Sequence, residues 1–416
     1  GQAYLEQAYG GRAQDDKAEY WLRQTLNAAP QFTAARLDLA ELLLTEQRFG
    51  DAAQQSRAIL ENDAENEAAS LLFAKSLLGL GQKDAARMIL EALSDGAKNK
   101  VVRNQAVLVL VGMKEIDAAK RLALLESVLK PRASAQNFHK TKPVLLPFYY
   151  ARAELNRELG RITEAAQDYQ KCLEIDAADQ FGAAAGLALL SGRSHLVKPS
   201  SEHILSDAHL EKLFDEYAPR FDQHLLGQLQ YRVPDLLVAA LQNCITVPIR
   251  VLDLGCGTGL LGLALRRNFP SLITGIDGVD LSAHMLHKAA QSGAYTNLHQ
   301  GNIVTHLQAV QTGSYDLITA ADVLVYVGDL DPLLRQIARI LPMGGRAGFT
   351  VEMGDDAPQN HRDYYLQESR RYAHNMPYIT QLARQYDFVV VTCDRENLRQ
   401  DGGKDITGLV VVLQKN

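Results

Sequence analysis

The sequence predicts an α + α/β chain: an all-helical repeat array in the N-terminal half, then an open, mostly parallel sheet domain with helices on both faces. Three observations predict it. An acidic residue closely followed by alanine returns every 33 or 34 residues through most of the first half. From Val247 onward, short apolar runs alternate with amphipathic helical stretches. The first of those runs ends in an acid and a cluster of glycines. The 416 residues suffice for two or three domains at about 150 residues each. A content of 47% hydrophobic and 22% charged residues is ordinary for a chain with packed cores.

In the first half the recurring signature is Asp16-Lys17-Ala18, Asp51-Ala52-Ala53, Asp84-Ala85-Ala86, Asp117-Ala118-Ala119 and Glu164-Ala165-Ala166. The step is 34 residues from Ala18 to Ala52, then 33 to Ala85, 33 to Ala118 and 47 to Ala165. The last step is one period plus an insertion, placed at the polar, proline-bracketed stretch Pro131 to Pro143. Short turns precede the signatures (Gln47 to Gly50, Gly79 to Gln82, Gly160 to Thr163), and an apolar-periodic helix precedes each turn: Ala35 to Leu44, Ala68 to Leu78, Tyr149 to Leu159. Helix–turn–helix units with small alanines where paired helices meet resemble tetratricopeptide repeats, in about four or five copies. That resemblance implies a concave face that holds a peptide, a protein partner or a second copy of the chain. The repeats are expected over residues 1–190, a polar linker over 191–205, and the second domain over 206–416.

In the second half Ile249 to Leu254 reads as a strand, followed by a helix from Gly259 to Asn268. A second strand, Leu272 to Val279, ends at Asp280 and leads to a helix from Ala283 to Ser292. Tyr315 to Ala320 is the next clear strand, then Leu330 to Leu341 as helix and Gly345 to Glu352 as strand. Phe388 to Asp394 and Gly408 to Gln414 close the domain as an antiparallel hairpin at one edge. Ligands of such sheets bind beyond the carboxyl ends of the strands. The loop Asp253-Leu254-Gly255-Cys256-Gly257-Thr258-Gly259 lies there, and its glycines allow backbone to approach a ligand. Gly257 to Gly262 also satisfies the dinucleotide fingerprint, so a nicotinamide-dependent oxidoreductase is the rival reading. Asp253 weighs against it, because an acid there would face a pyrophosphate.

Val251 to Gly259 resembles the first motif of class I S-adenosylmethionine-dependent methyltransferases, whose sheet is Rossmann-like and seven-stranded. The resemblance implies S-adenosyl-L-methionine as cofactor, with S-adenosyl-L-homocysteine as product. It implies that Asp253, Gly255, Cys256, Gly257 and Gly259 line its amino-acid end. Asp280, with Leu281 after it, matches the acid that grips both ribose hydroxyls. Asn302 and Ile303 stand where the adenine amino group is met, and Ala320 where the fourth strand floors the pocket. More narrowly, Leu213 to Leu225 and Tyr231 to Pro234 resemble the entry helices of bacterial tetratricopeptide-containing methyltransferases, in which Tyr217, Phe221 and Tyr231 would cap the cofactor. Arg371-Tyr372-Ala373-His374, Tyr378, Arg399 and Gly408 fit the same group.

Methyl transfer requires alignment of acceptor and methyl, and a base only where the nucleophile carries a proton. His374 with Tyr372 is the preferred base, Tyr326 and His361 are further candidates, and Arg371 is available to an acidic acceptor. No Asn-Pro-Pro-Tyr follows the fourth strand, where Ala321-Asp322-Val323-Leu324 stands instead, which counts against exocyclic base amines. The expected acceptor is an oxygen or nitrogen of a small molecule, or of a peptide or protein delivered by the repeats. A repeat scaffold whose methyltransferase domain is inactive or a sensor is the alternative. The net charge of -6 argues against a nucleic-acid partner. Cys172, Cys244, Cys256 and Cys393 show neither a disulfide framework nor metal-ligand spacing, which suits a reducing cytoplasm and no metal. No run approaches the roughly 20 apolar residues of a membrane span. The chain opens inside a helical pattern, with no signal peptide evident.

Overall fold

A computed structural model of the chain describes residues 17–129, 138–191, 204–218, 221–227, 229–353 and 363–416. The chain divides into two compact units, one ending at Leu190 and one running from Ser191 to Asn416. Most of the expected linker, and the candidate His361, lie outside the described residues.

The first unit is entirely helical: α1 (17–28), α2 (Thr33–Thr45), α3 (Phe49–Leu60), α4 (Glu67–Gly79), α5 (Lys83–Gly96), α6 (Lys100–Gly112), α7 (Ala118–Leu129), α8 (Phe138–Glu158), α9 (Ile162–Ile175) and α10 (Ala183–Ser191). From α2 to α9 each helix packs on the next. Small residues set the approach: Ala40, Ala52, Ala74, Ala86 and Ala165 are fully buried. In the third signature the buried alanine is Ala86 rather than Ala85, while Ala52 and Ala165 are buried as read. The expected insertion is also shorter. Helix α8 already begins at Phe138 and carries Pro143 and Pro147 within it, and residues 130–137 lie outside the described set. Glycine substitutes for volume at Gly79, where a Cβ would strike the Phe49 ring, and at Gly186, where it would strike Tyr169. Asp168 receives a two-pronged ion pair from Arg152, 2.8 Å on each side, which joins α8 to α9.

The second unit opens with α11 (Asp207–Tyr217), α12 (Phe221–Gly227) and α13 (Val233–Leu241). An alternating series follows: β1 (Ile249–Leu254), α14 (Leu260–Asn268), β2 (Ile273–Asp280), α15 (Ala283–Ser292), β3 (Asn297–Gln300), α16 (Ile303–Ala309), β4 (Leu317–Ala320), α17 (Asp331–Ile340) and β5 (Arg346–Glu352). Short strands β6 (Tyr364–Leu366) and β7 (Tyr372–His374), helix α18 (Met376–Gln385), and long strands β8 (Phe388–Asp401) and β9 (Lys404–Lys415) complete it. The expected seven strands pair in the spatial order β3-β2-β1-β4-β5-β9-β8, parallel as far as β5 and antiparallel beyond. The pair β6–β7 is additional to that expectation and joins β5 only at Glu352↔Ala373. The closing strands are also longer than their apolar runs, because polar residues continue both ladders past the sheet's buried centre.

Strands buried on both faces read as nearly unbroken apolar runs, and alternate residues enter opposite layers. Val251, Ile276, Val410 and Val412 pack with Leu237 and Leu241 of α13 and Leu261 and Leu265 of α14. Leu252, Ile318, Phe349 and Val411 pack with Leu333 and Ile337 of α17 and Ile379 and Leu382 of α18. The strand order reverses between β1 and β4, so a crevice opens at their carboxyl ends. Among the described residues no helix is long and apolar enough to cross a membrane.

Candidate functional site

The loop after β1 is set by three left-handed glycines, Gly255 (φ 63°), Gly257 (φ 54°) and Gly259 (φ 96°). Other residues adopt this conformation at a cost of about 1–2 kcal/mol each. A side chain at Gly255 would collide with Val323, so the turn after β4 lies directly against this loop. Gly262 and Gly278 serve a different purpose from ligand approach. A Cβ at either would lie 2.6–2.9 Å from Tyr295, whose ring occupies that space. The Tyr295 hydroxyl donates to Asp253 Oδ2 at 2.7 Å, and Thr319 Oγ1 donates to Asp253 Oδ1 at 2.8 Å. Neither donor was legible as a site residue from sequence.

Asp280 ends β2 beside the same loop. Its carboxylate accepts from the N–H of Gly257 and of Ser282, each at 2.9 Å. Burial pushes Asp253 and Asp280 up to about 6, and the hydrogen bonds oppose but do not cancel that rise. Cys256 is buried against Leu286 and Ala289, and burial raises its thiol pKa. Leu281 lies at the surface end of β2, where its carbonyl accepts from Gln300 at 3.1 Å. Ala320 is buried at the end of β4.

Asn302 departs from its expected availability. Its carbonyl oxygen accepts from the N–H of Val304 at 2.9 Å and of Thr305 at 3.2 Å, capping α16, and its amide donates to Asp207 at 2.8 Å. That oxygen is engaged, because an N-cap side chain satisfies helix N–H groups. Ile303 is buried in the core below it.

Helices α11 and α12 meet the loops through three aspartates that sequence reading did not single out. Asp207 takes the amide of Asn302, Asp215 the hydroxyl of Ser282 at 2.6 Å, and Asp222 the hydroxyl of Thr258 at 2.5 Å. Each of the loops after β1, β2 and β3 is thus tied to the cap. An aromatic cluster lies among these ties: Tyr217 and Phe221 have centroids 5.1 Å apart, and Phe214 and Tyr326 are 5.3 Å apart, edge to face. The Phe221 ring comes within 3.8 Å of where a Cβ on Gly257 would stand.

Beyond β4 and β5 lies a buried ion network. Arg399 donates to Asp322 and to Glu352, and Arg371 pairs with Asp401 at 2.9 Å and approaches Glu352 at 3.8 Å. Arg399 is only 1% exposed. Burial opposes the charge on Arg371, but Tyr326 and Glu352 outweigh it and its pKa is raised. Asp322 and Glu352 were not nominated from sequence, since a lone acid after a strand or at a strand end carries no local signal. Asp322 also has φ 56°, an unusual conformation for a residue other than glycine.

His374 and Tyr372, nominated as the base, are both buried beside the turn at Gly328. The His374 ring is 2% exposed, its Nε2 lies 2.9 Å from the Gly328 carbonyl, and its Nδ1 is buried without a hydrogen-bond partner among the described residues. With Nε2 as donor, Nδ1 is the only basic atom, and burial draws the imidazole down to about 4. A ring in this state supports the Gly328 turn, and Tyr378 stacks on it. Burial also pushes the Tyr372 phenol up to about 12. Among the described residues no group of three or more acidic, histidine or cysteine side chains could hold a metal ion.

Comparison with known proteins agrees with this layout. A family described as a methyltransferase domain matches residues 225–392, and a tetratricopeptide repeat matches 146–179. The ubiquinone biosynthesis O-methyltransferase of Sodalis glossinidius is 35% identical over 103 residues, 24% of this chain and 40% of that protein. The malonyl-[acyl-carrier protein] O-methyltransferase of Legionella pneumophila is 28% identical over 149 residues, 35% of this chain and 50% of that protein. The chain thus spans half or less of the length of these curated relatives. A Thermotoga maritima structure described as a possible histamine N-methyltransferase has a TM-score of 0.36 at 17% identity, covering 50% of this chain and 100% of that one.

Proposed function

As a tetratricopeptide-repeat protein carrying a class I S-adenosylmethionine-dependent methyltransferase domain, the chain, we propose, methylates an oxygen or nitrogen of a small-molecule, peptide or protein acceptor. The repeats would recognise that acceptor or a partner. Two relatives are named for oxygen methylation, which favours oxygen.

One observation carries the cofactor assignment. Asp280 accepts a backbone N–H on each oxygen and keeps further lone pairs, at the rim of a loop whose glycines leave the backbone bare. Such a carboxylate suits two vicinal ribose hydroxyls. It is ill suited to a nicotinamide dinucleotide, because the Gly257 N–H is already engaged by an anion that would repel a pyrophosphate. When bound, S-adenosylmethionine supplies an activated methyl on a cationic sulfonium. Asp253 contributes a buried negative charge complementary to that cation, oriented by Tyr295 and Thr319. Asn302, engaged as a cap, leaves the adenine edge to backbone groups such as the Ile303 amide at the first turn of α16. Tyr217 and Phe221 exclude water from above.

Titration calorimetry with S-adenosylmethionine, S-adenosylhomocysteine and NAD tests the reading. We expect binding of the first two and none of NAD. In Asp280→Ala, loss of two bonds to a charged acceptor should weaken binding by about 100-fold or more. Binding of NAD alone, or unchanged affinity in the variant, would overturn it.

A further inference from the structure

Near the loop, Asp322 is held through one carboxylate oxygen while the other accepts no hydrogen bond among the described residues. It follows β4 at the strand crossover, and its neighbour Val323 packs against Gly255. Three bonds immobilise the network around it. Its N–H donates to Thr350 Oγ1 at 3.0 Å, its Oδ1 accepts from Arg399, and Arg399 is anchored in turn by Glu352. Its Oδ2 accepts from nothing among the described residues, and the side chain is 17% exposed. Arg399, Arg371 and Tyr231 interact with it directly, and through these residues Glu352, Tyr326 and Asp253 belong to the same electrostatic neighbourhood.

Resting on the methyltransferase reading, we propose that Asp322 is the catalytic base and that the acceptor is a protic group, a hydroxyl, phenol or amine, rather than a carboxylate. The charge balance of the network decides the class. Both arginines that might hold an acidic acceptor are already paired: Arg399 with Asp322 and Glu352, Arg371 with Asp401 and Glu352. Among the described residues a carboxylate acceptor would therefore meet Asp322 with both neighbouring arginines already paired, and burying like charges together is strongly unfavourable. A protic acceptor donates its hydrogen to Oδ2. In the transfer, the acceptor's lone pair forms the new bond to the methyl carbon, the carbon–sulfur bonding pair stays on sulfur as a neutral thioether, and the acceptor's proton passes to Asp322.

Calorimetry on the full chain saturated with S-adenosylhomocysteine tests this without turnover, using catechol and benzylamine as protic probes and benzoate as the acid. At least one protic probe should bind, benzoate should not, and Asp322→Asn should weaken the protic probe by about 10-fold or more. Asparagine tolerates the left-handed conformation and keeps the bond to Arg399. Unchanged S-adenosylhomocysteine affinity then shows that the variant site is intact, and the wild-type comparison stands even if the variant fails to fold. A second arm incubates cell extract with deuteromethyl cofactor. The label should resist mild alkali, as ethers and methylamines do and methyl esters do not. D322N should lower the transfer rate by about 100-fold at saturating cofactor. Benzoate binding in preference to both protic probes, an alkali-labile product, or a variant with the wild-type transfer rate would each overturn the proposal. Failure of the wild type to bind S-adenosylhomocysteine would instead overturn the reading beneath it.

Discussion

At the scale of single residues, the site is defined less by the acids visible in sequence than by what holds them. Asp253 could be picked out because it ends an apolar run before glycines. Tyr295 could not, because its partner lies 42 positions away and its own neighbourhood reads as a loop. Tyr295→Phe tests its role with almost no change in volume. The variant leaves Asp253 with Thr319 alone, so a buried carboxylate loses one of two donors, a loss of about 1–3 kcal/mol. Removing a bond that favours the charged form should also raise the Asp253 pKa above about 6. Urea unfolding and the pH dependence of cofactor affinity would show both effects. An unchanged midpoint together with an unchanged affinity profile would mean that the Tyr295 hydroxyl holds nothing.

At the scale of elements, the alternation of strands and helices was legible because two-face burial writes apolar runs into the sequence at known spacing. The lengths of β8 and β9, and the existence of β6 and β7, were not, since their polar residues are held by pairing with neighbours distant in the chain. Glycines show the same limit. Gly257, Gly262 and Gly50 look alike in sequence, yet one shapes a left-handed turn, one makes room for Tyr295, and a Cβ at Gly50 in α3 would meet nothing within 4 Å. Opposite responses to alanine follow. Gly50→Ala should stabilise the helical unit by about 0.5–1 kcal/mol through helix propensity. Gly262→Ala should destabilise the sheet unit by about 1–3 kcal/mol, because the Tyr295 ring must give way. Thermal melts of the two variants beside wild type would separate the cases; shifts of the same sign would contradict the packing described.

At the scale of the whole molecule, the sheet unit brings two carboxylates to adjacent strand ends inside its core, and this sets stability against binding. Beyond burial, Asp280 raises the Asp253 pKa by repulsion and Asp215 raises that of Asp280. Each rises from an ordinary value near 3.9 to about 6. The folded, ligand-free state therefore binds more protons than the unfolded chain between those values. The two groups together make stability fall as pH rises through that window, by about 3 kcal/mol each. His374, lowered from an ordinary value near 6.5 to about 4, acts in the opposite sense and offsets roughly one of them. A bound cation beside Asp253 and hydroxyls on Asp280 favour the charged carboxylates, so cofactor binding must expel the protons they carry. With both groups half-protonated near pH 6, calorimetry in buffers of different ionisation enthalpy should register about one proton released per S-adenosylmethionine bound at pH 6 and almost none at pH 8. Affinity should rise correspondingly between pH 5 and 7. Proton uptake at pH 6, or an affinity flat across that range, would show that the two carboxyls are not where the cofactor's charge and hydroxyls are received.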